Sequence, residues 1–118
     1  LLGHLHEICS SSKVSAELHF NSIPLLSGTN ELAHDGIIPG GTKRNQSHAE
    51  SFTLFSDKRT EIERLIMSDA QTSGGLLISV KKDRLGYLME QLKSNGVAQP
   101  KVIGEVSSGS PGIIRVVQ

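Results

Sequence analysis

Tryptophan is absent from this 118-residue chain, and one Tyr and three Phe bring the aromatic share to only 3%. Stacked aromatic platforms of the kind that hold single-stranded nucleic acid are thereby excluded, and the core has to be aliphatic. Charge of one sign is lacking too, since 12 Lys and Arg balance 12 Asp and Glu. A chain without net charge has no long-range field to gather a polyanion or an anionic membrane, so any anion site must be local. No nucleic acid and no membrane are therefore expected as partners. No apolar stretch approaches the ~20 residues that span a bilayer, and no signal-like n-region and h-region is visible. Cysteine occurs once, at Cys9, where it cannot form an internal disulfide. Together these absences lead to the expectation of a soluble, cytoplasmic protein of a reducing compartment. Internal repeats and low-complexity tracts are missing. So are the Gly-x-Ser-x-Gly elbow of hydrolases and the Walker pattern Gly-x-x-x-x-Gly-Lys-Ser/Thr, so neither that hydrolase chemistry nor an autonomous nucleotide site is expected.

What is present is a chain of single-domain length with a hydrophobic fraction of 36%, enough for one modest core. In "LLGHLHEIC", Leu1, Leu5 and Ile8 recur at helical spacing, which predicts an amphipathic helix ending near Ser10 to Ser12. "KVSAELHF" alternates Val14, Ala16, Leu18 and Phe20 with polar residues, the period of a half-buried strand. Residues 21–41, broken by Pro24, Gly28, Gly36, Pro39, Gly40 and Gly41, read as a loop-rich connector with one short helix at Thr29 to His34 stopped by Gly36. Thr53 to Phe55 is a possible short strand. "SDKRTEIERLIM" predicts a helix capped by Ser56 or Asp57, and the continuous apolar run "GLLISV" predicts a central strand covered on both faces. "DRLGYLMEQLKSNG" predicts a helix from Asp83 as N-cap to Gly96 as C-cap, with Leu85, Leu88, Met89 and Leu92 as its packing stripe. "KVIGEV" and "GIIRVV", joined by "SSGSPG", read as a closing hairpin. The expected fold class is α/β (α+β): a layered sandwich of one mixed β-sheet with packed helices.

Two Gly-rich loops carry the chemistry. "SDAQTSGGLLISV" places three hydroxyl residues and the pair Gly74 and Gly75 at the mouth of an apolar run, so that backbone N–H groups can converge on an anion; the plain alternative is a tight turn. In "PGGTKRN", Gly40 and Gly41 permit positive φ, Thr42 and Asn45 offer neutral hydrogen bonds, and Lys43 and Arg44 bring charge suited to phosphate. The alternative there is a turn leading into a helix capped by Thr42 or Asn45. Both readings stay open on spacing alone. The five His carry less: His4 and His6, two apart, fall on different faces of a helix, and no ligand set completes a metal site around them. Cys9 lies on the packing stripe, where a buried small hydrophobe is expected rather than a nucleophile.

In this order and at these separations, "LLGHLHEIC", "IPGGTKRN" and "SDAQTSGGLLISV" resemble the C-terminal domain of the selenophosphate synthetase family, within the superfamily of aminoimidazole ribonucleotide synthetase. The most specific elements are Asp-x-Gln-Thr-Ser-Gly-Gly-Leu-Leu from Asp69 and Gly-Gly-Thr-x-Arg-Asn from Gly40. The resemblance covers residues 1–118 and implies a single C-terminal domain of a two-domain enzyme whose N-terminal ATP-binding domain is absent. It implies a parent that makes selenophosphate from selenide and ATP, with Mg2+, releasing AMP and orthophosphate, as a homodimer. The catalytic Cys or selenocysteine, the essential Lys and the metal-binding Asp residues of the family lie outside this chain, so no catalytic residue and no metal ligand is expected in it. Thr42, Arg44, Asn45, Gln71, Thr72, Ser73, Gly74 and Gly75 are then the residues expected to face or orient phosphate in a cleft beside the ATP domain. Where the family usually has Pro after the Asp, this chain has Ala70, which leaves the entry to the loop less constrained. The start of the sequence, without Met and already helical in pattern, adds to the expectation of a fragment. A non-catalytic interaction module, or the C-terminal domain of another ATP-dependent synthetase of the superfamily, stands as the alternative.

Overall fold

A computed structural model describes residues 1–118. Its centre is a four-stranded mixed sheet in the order β2-β4-β1-β3, built from β1 (Ser15–His19), β2 (Thr53–Phe55), β3 (Gly104–Ser107) and β4 (Ile114–Val117). β4 lies parallel to both β1 and β2, and β3 runs antiparallel to β1. The alternation read in β1 holds, with Ala16 and Leu18 buried between half-buried Ser15, Glu17 and His19. Register carries that pattern across the sheet: Ala16 pairs with Ile114 and Leu18 with Val116, and all four side chains face the core. Leu54, Arg115 and Glu105, level with Glu17 in the ladder, are exposed. One face of the sheet is therefore covered and the other is open.

The covering layer begins with α1 (Leu2–Ser11), which buries Leu2, Leu5 and Cys9 against β1 and β4. Its end is closed by Val14 N–H on the Cys9 carbonyl and Lys13 N–H on that of Ser10, with Lys13 at φ 56 in the place that glycine usually takes. α2 (Thr29–His34) stops with the same pair of bonds, at Gly36, as expected. α3 (Gly40–Ala49) and α4 (Glu61–Met67) complete the layer, and Ala49, Phe52 and Met67 join the core.

Five expectations are corrected. "PGGTKRN" is not a loop: it is the first turn of α3, Gly40 and Gly41 are not at positive φ, and Pro39 is the N-cap with no side-chain cap from Thr42 or Asn45. The buried face of α3 consists of Thr42, Gln46 and Ala49, so helical spacing is present without an apolar stripe to reveal it. α4 is capped by Thr60, not Ser56 or Asp57: Glu63 N–H donates to Thr60 Oγ1 and Thr60 N–H donates to Glu63 Oε2, a reciprocal box that satisfies two orphan donors. β3 and β4 do not form a hairpin, because β1 lies between them and pairs with both. The connection "SSGSPG" steps past the start of β1 so closely that a Cβ on Gly109 would collide with Ser15 Oγ.

The fourth correction is the largest. "GLLISV" is not a strand: residues 76–80 pair with neither edge of the sheet, and Leu76 is 93% exposed. Apolar content measures a preference for burial and names no ladder partner, and here β3 and β2 remain the edges. α5 (Leu85–Ser94) follows, preceded by a 3-10 turn at Lys82–Arg84, so that Arg84 rather than Asp83 is the N-cap. Gly96 closes it at φ 83, with Val97 N–H on the Leu92 carbonyl. The stripe Leu85, Leu88, Met89 and Leu92 is half-buried, and no residue of α5 is fully buried. No helix of the protein is long and apolar enough to cross a membrane.

Candidate functional site

The loop that begins at Ser68 is fixed at its base and free beyond it. Ser68 ends α4, with its hydroxyl donating to the Arg64 carbonyl at 2.9 Å. α3 then holds the next residues one by one. Asn45 Nδ2 donates to the Ser68 carbonyl at 3.1 Å, and Thr42 Oγ1 donates to Asp69 Oδ1 at 2.8 Å. Gly41 lies close enough to Ala70 that a Cβ there would sit 3.4 Å from the Ala70 methyl. Thr42 is 1% exposed, so its hydroxyl is occupied by Asp69 and faces no ligand directly. Below it, Gln46 Nε2 donates to Glu61 Oε1 at 2.7 Å and ties the polar face of α3 to the start of α4.

Past Ala70 these ties cease. The side chains of Gln71, Thr72 and Ser73 are exposed, with no hydrogen bond to the rest of the protein, and the backbone N–H groups of Thr72, Ser73, Gly74 and Gly75 have no backbone partner. Ser73 sits at φ 56. A side-chain-bearing residue in the left-handed region costs about 1–3 kcal/mol and marks a backbone held in a special shape. A left-handed residue among consecutive free N–H groups is also a feature of the backbone concavities that receive anions.

The same loop separates two clefts. One, of about 610 Å³, is lined on its other sides by His4, His6 and Glu7 of α1 and by Asn45, His48 and Phe52; Gln71, Thr72, Gly74 and Gly75 close it. The other, of about 920 Å³, runs between the loop and the apolar residues Leu25, Leu32, Ile37, Leu65 and Ile66, and Ser73 faces this side. Of the residues singled out in the sequence, Asn45 lines the smaller cleft alone, Thr42 and Ser73 line the larger alone, and Gln71, Thr72, Gly74 and Gly75 line both. Arg44 lines neither; it is exposed on α3, with its guanidinium near Gly41 and no acidic partner.

The fold brings three histidines to the smaller cleft. His4 and His6, expected on different faces of α1, line one cleft, and His48 joins them there. Their convergence depends on α3 lying beside the start of α1, a tertiary fact with no trace in the spacing of the histidines. Cys9 is buried on α1, and burial pushes its thiol above the usual range, which keeps it protonated and poorly nucleophilic. No group of three or more His, Cys, Asp or Glu side chains is placed to hold a metal ion.

A comparison with known families decides the relationship. The family described as AIR synthase related protein, C-terminal domain, matches residues 1–117. The chain belongs to this family. Its mixed sheet with a helical layer agrees with that assignment. Among curated relatives, the selenide, water dikinase of Myxococcus xanthus is 41% identical over 113 residues, 96% of this chain and 32% of the relative. Those of Sulfurovum sp. and Sulfurimonas denitrificans are 40% and 38% identical, each over 98% of this chain and 33% of their own length. The chain thus spans about a third of the length of the curated relatives it matches.

Proposed function

We propose that this domain is the C-terminal third of a selenide, water dikinase, an ATP-dependent phosphotransferase, and that residues 71–75 form one wall of its active-site cleft. The observation that carries this reading is the free run of N–H groups from Thr72 to Gly75, with Ser73 at φ 56, on a loop whose base is fixed to α3. Preorganised donors aimed at phosphoryl oxygens stabilise the charge that develops in phosphoryl transfer. Thr42 and Asn45 act by positioning the loop, Gln71, Thr72, Ser73, Gly74 and Gly75 present donors, and Arg44, which lines neither cleft, adds positive charge beside Gly41. The names of the relatives favour selenide as an acceptor over that of another synthetase of the superfamily.

In this reading ATP, selenide and the N-terminal ATP-binding domain are the partners, and the parent is a cytoplasmic homodimer yielding selenophosphate, AMP and orthophosphate. Mg2+ does not fit the side chains of this chain, since Asp69 is bonded to Thr42 and no other acid stands with it in a ligand cluster. The cation therefore belongs with acids elsewhere in the parent. Phosphorus NMR of the full-length enzyme with ATP, magnesium and selenide tests the proposal. A selenium-bonded phosphorus product that depends on selenide is expected; ATP consumption without it would overturn the reading.

A further inference from the structure

His6 is held by two contacts, a carbonyl and an aromatic face, that leave its second ring nitrogen free. Its Nδ1 lies 2.9 Å from the Gly112 carbonyl oxygen. A carbonyl only accepts, so Nδ1 carries the hydrogen, and in the neutral ring Nε2 is a bare lone pair. The ring stacks on Phe52 at 3.9 Å between centroids and 16° between planes, and His48 meets the same Phe52 edge-on at 5.3 Å. Gly112 makes the approach possible: it sits at φ 79, and a Cβ on it would come within 2.9 Å of His6 Cε1. Nε2 has no partner in the protein, and the ring lines the 610 Å³ cleft that Thr72, Gly74 and Gly75 close.

A histidine that served packing alone would need neither a fixed tautomer nor an open nitrogen. Here a backbone carbonyl sets the tautomer, an aromatic face sets the ring plane, and the basic nitrogen is left without a protein partner on a residue that lines the cleft, which is the arrangement of an oriented proton acceptor. The other titratable side chains of the cleft are His4 and Glu7 on α1, His48 on α3 and Asp69 at the base of the loop. Asp69 is bonded to Thr42, and none of these groups contacts Nε2.

We propose that His6 Nε2 is the proton acceptor for the water that attacks phosphorus in the water-directed half of the reaction. The assignment rests on the proposed function, because it takes water as the second acceptor from the relatives' name. As the water oxygen bonds to phosphorus, one O–H bond breaks and its proton passes to Nε2. The P–O bond to the leaving group breaks, and its electron pair departs with the leaving oxygen. The imidazolium, still donating through Nδ1 to Gly112, then returns the Nε2 proton to the leaving oxygen or to solvent.

Two amide replacements in the full-length enzyme separate this role from a structural one. In His6→Asn the side-chain amide occupies the place of Nδ1 and keeps a donor for Gly112, but nothing replaces Nε2. In His6→Gln an amide reaches the place of Nε2 without its basicity. The account expects His6→Asn to keep the wild-type melting temperature within a few degrees and KM for ATP within about threefold, while kcat for orthophosphate release falls about 100-fold or more. His6→Gln falls by as much, because an amide is no base. Phosphate release by folded His6→Asn within about threefold of wild type overturns the assignment. Should His6→Asn fail to fold, nitrogen NMR of the wild-type histidines decides: hydrogen on Nδ1 of His6 sustains the proposal, and hydrogen on Nε2 overturns it. An inactive wild-type enzyme would instead sink the dikinase reading, and this assignment with it.

Discussion

Leu5 on α1 is 5% exposed and Leu76 is 93% exposed, although both sit in runs rich in leucine and isoleucine. The first lies where α1 crosses β1 and β4, so its side chain meets Ala16, Leu18, Ile114 and Val116 in one cluster. The second begins a segment that reaches no ladder, and of residues 76–103 only Leu77 and Ile103 pack against that cluster. Burial follows from the partners that topology supplies; the apolar run is only half of the requirement.

Truncation breaks this comparison most directly. Leu5→Ala is expected to cost about 2–5 kcal/mol in urea-induced unfolding of the domain, the range for removing a buried leucine from a packed core. Leu76→Ala is expected to change stability by no more than about 0.5 kcal/mol, as for other surface positions. A loss at position 76 comparable to that at position 5 would show that residues 76–80 are packed in solution. A smaller effect sharpens the contrast between the fixed and free parts of the loop. Thr42→Val keeps the shape of a side chain that is 1% exposed and removes its bond to Asp69 Oδ1. A cost of about 1–2 kcal/mol is expected by the same unfolding measurement. Unchanged stability would mean that Asp69 finds an equal partner in water.

Legibility in the sequence followed the kind of contact involved. β1, α2 and β2 were readable because their signals are local: period-two alternation in β1 and a left-handed glycine after the last turn of α2. The cap of α4 is written in the sequence as Thr60-x-x-Glu63, but Ser56 and Asp57 upstream are equally good capping residue types, and spacing to the apolar positions does not separate them. α3 was hidden because its buried face is polar and is satisfied by Asp69 and Glu61, both from other segments. The crossing of β3 and β4 over β1 was hidden because strand order is not a local property. At the site, the composition of residues 71–75 announced a donor-rich loop, whereas His6 depends on a carbonyl 106 residues away. No pattern around His6 predicts that bond.

The central claim is that the shape of the loop at Ser73, rather than its hydroxyl, presents donors to phosphate. Measuring kcat/KM for ATP in the full-length enzyme with Ser73→Gly and Ser73→Val tests it. Glycine adopts positive φ without penalty and serine bears a cost there, while a β-branched residue is a steric outlier that opposes it by roughly another 1–2 kcal/mol. The account predicts Ser73→Gly within about threefold of wild type and Ser73→Val down about tenfold. Equal values for all three proteins, or an equal fall in both variants, would contradict it.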